Sequence, residues 1–124
     1  MIRAINAVLL HTRDVRRLVR FYRDVLGLEI KEATHGGIAH AEAEIGDVHF
    51  AIFDEGPAPV PVGPITLSFH VANVFDAHKQ VLARGGVFDG EPQAMPFGGV
   101  VARMRDPDGN GVYLMTWQDE LPRN

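Results

Sequence analysis

Two histidines, His11 and His70, occupy matching places in two similar stretches of the sequence. One stretch reads Leu10-His11-Thr12-Arg13-Asp14-Val15, and the other reads Phe69-His70-Val71-Ala72-Asn73-Val74. Two convergent imidazoles can bind a metal ion or serve as an acid and a base. Alternatively, each histidine packs at a strand end and hydrogen-bonds to nearby backbone. We favour this second interpretation.

A second group of ionisable side chains comprises His40, Glu42, Glu44 and His49. Residues 38–45 and 48–54 read as strands joined by Gly46-Asp47, a favourable two-residue hairpin turn. This turn predicts a register in which Glu42 lies opposite Ala51, so the four ionisable side chains share one face. Such a face can assemble a metal site, but no motif supports one here. The carboxylates can equally be solvated on an exposed sheet face.

These residues belong to a pattern that occurs twice, about sixty residues apart. Each copy predicts a strand, a helix and three further extended segments, which is an α+β arrangement with mainly antiparallel sheet. The helices are predicted to follow Asp14 and Asn73, because such side chains cap helix N-termini. They are predicted to end at Gly27 and Gly85, because glycine readily ends a helix.

The repeat divides the chain into segments. Module one covers residues 1–55, a Pro-rich linker covers 56–64, module two covers 65–117, and a loose polar tail covers 118–124. The linker is expected to be extended and semi-rigid, because proline restricts the backbone. The remaining predicted strands are residues 4–12, 28–34, 65–72, 87–94, 99–105 and 111–117.

Composition excludes several classes of function. The 124 residues are 46% apolar, which suffices for a packed core. The formal charge of −4 argues against nucleic acid as a partner. The chain has no cysteine, which excludes disulfides, thiol catalysis and zinc–thiolate sites. Because it has neither a long apolar run nor a signal-peptide pattern, we expect a cytoplasmic protein without a membrane partner.

Three segments resemble a known family. Phe21-Tyr22-Arg23-Asp24-Val25-Leu26-Gly27-Leu28, Phe97-Gly98-Gly99 and Asp106-Pro107-Asp108-Gly109-Asn110 are similar to segments of the vicinal oxygen chelate superfamily. That superfamily contains glyoxalase I, extradiol dioxygenases, fosfomycin-resistance enzymes and bleomycin-resistance proteins. The resemblance covers residues 1–124 as one domain. It implies two βαβββ modules whose curled sheets surround a cleft, and a homodimer. Modules that pair within one chain and modules that exchange between chains both remain open.

The resemblance also implies where metal ligands would lie, and this chain lacks them. The corresponding positions hold Ala7, Ala51, Thr66 and Tyr113. Alanine offers no donor atom, and neutral hydroxyls are poor ligands for first-row metals. We therefore expect no metal and no cofactor, and we assign no catalytic residue. This pattern is most similar to the bleomycin-resistance type, which binds and sequesters its ligand without chemistry.

Strand alternation, applied to the implied fold, predicts which side chains line the cleft. The predicted ligand-binding residues are His49, Phe53, Glu42, Thr66, Ser68, His70, Tyr113, Met115 and Trp117. Aromatic rings beside carboxylates suit a planar or cationic organic ligand. The alternative is that Tyr113 and Trp117 are ordinary core or dimer-contact aromatics.

Three functions remain open at this point. The first, which we favour, is a metal-free protein that binds an aromatic or cationic organic molecule such as an antibiotic or metabolite. The second is a glyoxalase- or dioxygenase-like lyase or isomerase that uses a displaced metal site or histidine acid–base chemistry. The third is an accessory subunit with a vestigial cleft.

Overall fold

The computed structural model describes residues 1, 3–35, 38–54 and 65–122, with backbone alone for 33–35, 38 and 39. The predicted linker at 56–64 lies outside these residues. The chain divides into two compact units, Met1–Gly63 and Pro64–Asn124, named unit 1 and unit 2 below. Each unit contains one four-stranded sheet. The unit boundary falls within the predicted linker.

Unit 1 follows the predicted order of elements. It contains β1 (Ala7–Thr12), α1 (Val15–Arg20), a π-helical turn (Phe21–Val25), β2 (Lys31–His35), β3 (Ile38–Ile45) and β4 (Val48–Asp54). The strand order is β1-β4-β3-β2. β1 runs parallel to β4, whereas the other two pairings are antiparallel. The predicted bounds of β3 and β4 are confirmed.

The helix of unit 1 begins and ends as the sequence predicts. The Asp14 carboxylate accepts a hydrogen bond from the Arg17 backbone N–H at 3.1 Å. After the π-helical turn, Gly27 has a φ of 81°, which favours glycine. The Leu28 N–H then donates to the Tyr22 carbonyl at 2.9 Å. Because residue 28 still completes the helix end, the prediction that β2 starts there is wrong, and β2 begins at Lys31.

The core of unit 1 lies between α1 and the sheet. Leu18, Val19 and Tyr22 are buried on the helical segment, and Phe50 and Ile52 are buried on β4. The Tyr22 and Phe50 rings are 5.1 Å apart. Because strand side chains alternate between faces, this contact assigns the even-numbered residues of β4 to the helix side. The odd-numbered residues lie on the opposite, helix-free face.

Unit 2 repeats this arrangement. It contains β5 (Thr66–His70), α2 (Val74–Ala83), β6 (Gln93–Ala94), β7 (Gly99–Arg105), β8 (Gly111–Trp117) and a 3-10 turn (Gln118–Glu120). The strand order is β5-β8-β7-β6, with β5 parallel to β8 and the other pairings antiparallel. Asn73 caps α2 by accepting from the Phe75 and Asp76 N–H groups. The last helical residue is Ala83, and the C-cap residue Arg84 directly precedes Gly85, where the helix was predicted to end.

Two predicted segments of unit 2 differ in the structure. The strand expected at 87–94 is reduced to Gln93–Ala94 and one bridge between Phe88 and Met104. Pro92 has no N–H to donate to a ladder, which prevents a continuous strand there. The loose tail expected from residue 118 instead begins with the 3-10 turn. Its Glu120 carboxylate accepts a hydrogen bond from the Trp117 N–H at 2.9 Å and lies 2.8 Å from His70 Nε2.

The predicted turn at 106–110 is confirmed and is held by one carboxylate. Asp106 Oδ1 accepts from the N–H groups of Asp108 and Asn110, both at 2.9 Å. Its Oδ2 accepts from Asn110 Nδ2 at 2.8 Å. Asn110 Oδ1 in turn accepts from the Ile65 N–H at 3.2 Å, at the start of β5. The turn therefore sets the ends of both β7 and β8 and connects them to β5.

The two units together confirm the predicted α+β class, with a mixed, mainly antiparallel sheet in each unit. Within the described residues, neither helix has the length and hydropathy that crossing a membrane requires.

Candidate functional site

The helix-free face of unit 1 carries the ionisable group recognised in the sequence. The observed register pairs Glu42 with Ala51, as the hairpin turn predicts. In the same sheet, β1 is aligned so that Leu9 lies beside Ala51. The side chains on this face are Ala7, Leu9, His11, His40, Glu42, Glu44, His49, Ala51 and Phe53. Three predicted ligand-binding residues, Glu42, His49 and Phe53, therefore share one surface.

Three rings form a row across this face. The Phe53 ring is stacked against His40 at 5.1 Å and against His11 at 5.8 Å, with interplanar angles of 16° and 26°. His40 is buried, whereas His11 and Phe53 are partly exposed. His11 Nδ1 is buried and has no hydrogen-bond partner among the described residues. The row therefore presents the exposed parts of the His11 and Phe53 rings, beside a buried nitrogen that has no described partner.

Carboxylates and imidazoles continue the same face beyond the aromatic row. Glu42 Oε2 is 3.3 Å from His40 Nε2 and 3.7 Å from His49 Nε2. His49 Nδ1 also lies 2.5 Å from Glu44 Oε1. The hydrogen bond to Glu44 raises the pKa of His49, and the charges of Glu44 and Glu42 add to that effect. The two carboxylates thus hold negative charge beside the rings and favour a protonated imidazole.

The histidine–glutamate group does not form a metal site in the structure. In the described ranges, no three His, Asp or Glu side chains are placed to hold a metal ion, and these ranges include His40, Glu42, Glu44 and His49. The positions where the resemblance implies ligands hold Ala7 and Ala51 in unit 1, which offer no donor atom. His11 and His70 belong to different units, and their joint role stays a prediction.

The helix-free face of unit 2 carries the other predicted ligand-binding residues. Val112, Leu114 and Thr116 of β8 are buried in the core beneath α2. The alternate residues of β8 are Tyr113, Met115 and Trp117, and the side chain of Trp117 is 45% exposed. Thr66, Ser68 and His70 share their face, because β5 pairs them with Gly111, Tyr113 and Met115. Trp117 therefore lies outside the helix-side core of unit 2, and the alternative of a dimer-contact role for Tyr113 and Trp117 stays a prediction.

An aromatic pair closes one end of this face. The rings of Phe97 and Trp117 meet edge to face at 6.1 Å, and Phe97 is 60% exposed. Gly99 makes the approach of Phe97 possible. A Cβ atom at Gly99 would lie 2.5 Å from Phe97 Cε2 and 2.9 Å from Met115 Cε. In the sequence, Phe97-Gly98-Gly99 stands out only through its resemblance to a family segment, and Phe97 was not predicted as a site residue.

At the same end, His70 is tied to the residues that follow β8. Its Nε2 is 2.8 Å from Glu120 Oε1, which also accepts from the Trp117 N–H. The pKa of Glu120 is lowered chiefly by the hydrogen bond from the Trp117 backbone N–H. The hydrogen bond with His70 lowers it further. His70 therefore has a carboxylate partner within its own unit, whereas the favoured sequence prediction gave it a partner in the nearby backbone.

Arg103 is a further residue of this face that sequence reasoning missed. It lies on β7 in register with Tyr113 and is partly exposed. Its Nη2 donates to Gln93 Oε1 at 3.4 Å. The sequence does contain a signal for it. Arg103 and Arg105 alternate along β7 with the apolar residues Ala102 and Met104, and strand alternation therefore places both arginines on one face.

The sequence matches the profile of the Glyoxalase/Bleomycin resistance protein/Dioxygenase superfamily over residues 4–114. Among proteins of curated function, none matches.

Solved structures share the fold. A glyoxalase/bleomycin resistance protein/dioxygenase from Nocardioides has a TM-score of 0.76 and 20% identity, over 100% of this chain and 89% of that chain. Lactoylglutathione lyase from Agrobacterium tumefaciens has a TM-score of 0.70 and 25% identity, over 90% and 92% of the two chains. TnmS3, an antibiotic binding protein from Streptomyces sp. CB03234, has a TM-score of 0.74 and 23% identity, over 91% and 94%. With its two βαβββ units and a profile match over most of its length, the chain belongs to the glyoxalase/bleomycin resistance protein/dioxygenase superfamily.

Proposed function

We propose that this protein binds a small, flat, cationic organic molecule without a metal ion. The observation that carries the proposal is the row of His11, Phe53 and His40, with Glu42 beside it on the helix-free face of unit 1. The exposed parts of His11 and Phe53 provide an aromatic contact, and a carboxylate next to them favours a positive charge on the ligand.

The face of unit 2 adds aromatic surface that suits a flat organic ligand. Tyr113, Met115 and Trp117 supply apolar and aromatic surface along one strand, and Phe97 extends it. Thr66 and Ser68 add hydroxyl groups that can orient a ligand through hydrogen bonds. Small-molecule sites commonly combine a mainly apolar lining with a few polar groups in this way.

The likeness to an antibiotic binding protein makes an antibiotic or a related metabolite a natural candidate ligand. In this proposal the protein acts by sequestration, as a cytoplasmic homodimer, and its cellular role is antibiotic resistance. The assembly proposal has a physical basis, because apolar side chains such as Leu9 are 51% exposed on the unit 1 face. Self-association is an effective way to cover such surface.

Binding of proflavine, a flat aromatic cation, tests the proposal by isothermal titration calorimetry. The variant Phe53→Ala removes the central ring of the row. A buried aromatic contact is commonly worth about 1–3 kcal/mol in binding, so affinity should fall about tenfold or more. Trp117→Ala should weaken binding to a similar extent. Phe75→Ala is the matched control, because Phe75 lies on α2 and is 45% exposed.

The charge requirement is tested with Glu42→Gln and two probes. Proflavine is cationic at neutral pH and acridine is neutral, although their ring systems are nearly the same. Glu42→Gln should weaken proflavine binding, and added salt should reduce the effect. Acridine binding should be unaffected. Glu29→Gln, an exposed acidic residue before β2, is the control. If proflavine does not bind, or if Phe53→Ala and Phe75→Ala bind equally well, the proposal is wrong.

An enzymatic function is the second candidate, and one observation favours it. The imidazole of His49 is paired with Glu44, an arrangement that can hold and transfer a proton. In this alternative, a lyase or isomerase uses His49 as a metal-free acid or base. The test is lyase activity on lactoylglutathione, the compound that the name of the Agrobacterium tumefaciens protein gives. His49→Gln should abolish turnover, whereas His78→Gln, on the helix side of unit 2, should not.

A further inference from the structure

A pocket of about 470 Å³ lies at the polar end of the helix-free face of unit 2. It is bordered by Thr66, Asp89, Arg103, Arg105, Gly111 and Tyr113. Two arginines against one aspartate leave one net positive charge on the lining. This sign is opposite to that of the carboxylate group on unit 1 and to the overall charge of −4. The pocket is therefore suited to an acidic group rather than to a cation.

Arg103 is the residue that gives this pocket its chemistry. In the described part of the chain, its guanidinium bonds to the neutral amide oxygen of Gln93 at 3.4 Å, and no carboxylate lies within ion-pair distance of it. A guanidinium has five donors arranged to bind a carboxylate through two parallel hydrogen bonds. Most of that donor capacity remains available to a ligand.

A glycine keeps the pocket accessible beside Arg103. Gly111 lies in register with Thr66, and a Cβ atom there would lie 2.7 Å from Thr66 Oγ1. The missing side chain allows Thr66 to lie across β8. Thr66 contributes a hydroxyl to the lining, and the neighbouring Tyr113 contributes a second hydroxyl and a ring. Both hydroxyls can donate to an anion.

The same face continues into apolar surface along β8. From Tyr113 the strand leads through Met115 to Trp117, a distance of about 13 Å at the usual rise of roughly 3.3 Å per residue. A ligand whose acidic group bonds to Arg103 can therefore lay an aromatic body over Tyr113 and Met115.

We propose that this pocket binds the carboxylate of an aromatic acid through Arg103, with Thr66 and Tyr113 as additional donors. The inference goes beyond the proposed function, because it assigns a second class of ligand, an aromatic acid, to a pocket within unit 2. It gives a role to Arg103, which the cationic-ligand proposal does not use.

Benzoate and benzamide are the probes, because they share a ring and differ in the charge of the substituent. Binding is followed by the amide chemical shifts of residues in unit 2 as each compound is added. Benzoate should shift the amides of Gly111 and Tyr113 in a saturable manner. Benzamide should bind at least tenfold more weakly. Inorganic phosphate is the third probe, and binding of phosphate but not benzoate would overturn the assignment to an aromatic acid.

Arg103→Gln should weaken benzoate binding at least tenfold and leave benzamide binding unchanged. Arg103→Lys should recover only part of the affinity, because an ammonium group cannot form the two parallel bonds. The matched control is Arg84→Gln, which removes an equal charge at the C-terminus of α2. If Arg84→Gln weakens benzoate binding as much as Arg103→Gln, the effect is one of net charge and the proposal is wrong.

A crossed comparison separates this inference from the proposed function. Phe53→Ala should weaken proflavine binding without changing benzoate binding, and Arg103→Gln should show the reverse pattern. Failure of benzoate binding with intact proflavine binding overturns the proposed aromatic-acid pocket alone. Failure of proflavine binding with intact benzoate binding overturns the cationic-ligand proposal alone. Thermal melts of both variants that match the unmodified protein confirm that each change acts on binding rather than folding.

Discussion

Replacing Asp106 with alanine is expected to destabilise unit 2 by about 4 kcal/mol, since one buried carboxylate satisfies three donors there. Asp106 is 4% exposed, and Asn110 is equally buried. Without the carboxylate, the N–H and the side-chain amide of Asn110 lose their acceptor in a buried place, which costs about 1–3 kcal/mol for each group. The N–H of Asp108 is nearer to solvent and can bond to water, so its contribution is smaller.

Asp106→Asn is the more discriminating variant because it preserves size. Its amide oxygen can still accept from the Asp108 and Asn110 N–H groups. Its NH₂ group would then face Asn110 Nδ2, where two donors oppose each other. The expected loss of folding stability is about 2 kcal/mol, which is smaller than the loss for Asp106→Ala. Asn110 also holds the Ile65 N–H, so the disturbance should extend to the start of β5.

Urea unfolding followed by the fluorescence of Trp117 measures these differences, because Trp117 is the sole tryptophan and lies in the same unit. Asp119→Asn is the control. Its carboxylate is exposed in the 3-10 turn, and surface changes of this kind are usually within about 0.5 kcal/mol. If Asp106→Asn is as stable as Asp119→Asn, the carboxylate does not hold the turn and the reasoning is wrong.

The remaining predictions concern protonation, metal content and assembly. The pKa of His49 is raised chiefly by its hydrogen bond to Glu44, so Glu44→Gln should lower it in an NMR titration. The pKa of His49 is higher in the folded state than in the unfolded state. The His49–Glu44 pair should therefore stabilise the protein in mildly acidic solution and lose its effect as pH rises through the folded-state pKa. An unchanged His49 titration in Glu44→Gln would contradict the assignment of the pKa shift to Glu44. Protein purified without chelator should hold no stoichiometric metal, and chelator should leave its melting temperature unchanged. About one tightly held metal per chain would refute that expectation, and substitutions of His11, His49 and His70 would locate the site. Sedimentation at micromolar concentration should show a dimer, and a species of 13.6 kDa would overturn the assembly prediction.

The local signals of the sequence were sufficient for the elements that bear the candidate site. The two-residue turn Gly46-Asp47 correctly predicted the bounds and register of β3 and β4, and with them the shared face of Glu42 and His49. Asp14 and Asn73 correctly predicted both helix starts. Such signals act between residues only a few positions apart, so their physical basis is complete in the sequence itself.

The predictions that failed depended on competing local interactions. Residue 28 was assigned to a strand, but its N–H completes the end of the preceding helix. Apolar residues such as Val87 and Phe88 suggested a strand, but Pro92 interrupts the ladder, and Phe88 packs its ring at 4.5 Å against His78. The polar composition of residues 118–124 suggested a loose tail, but Glu120 bonds to His70, fifty positions earlier.

By itself the sequence determined the repeat, the α+β class, the hairpin register and the lack of donor atoms at Ala7 and Ala51. Only the tertiary structure decided which side chains meet across strands that are distant in sequence. The ring of Phe53 contacts His11 because β1 pairs in parallel with β4, and Ser68 lies beside Tyr113 because β5 pairs in parallel with β8. A shift of one residue in either pairing would place these side chains on the opposite face. The composition of the candidate site therefore depends on long-range register, which no short segment of the sequence contains.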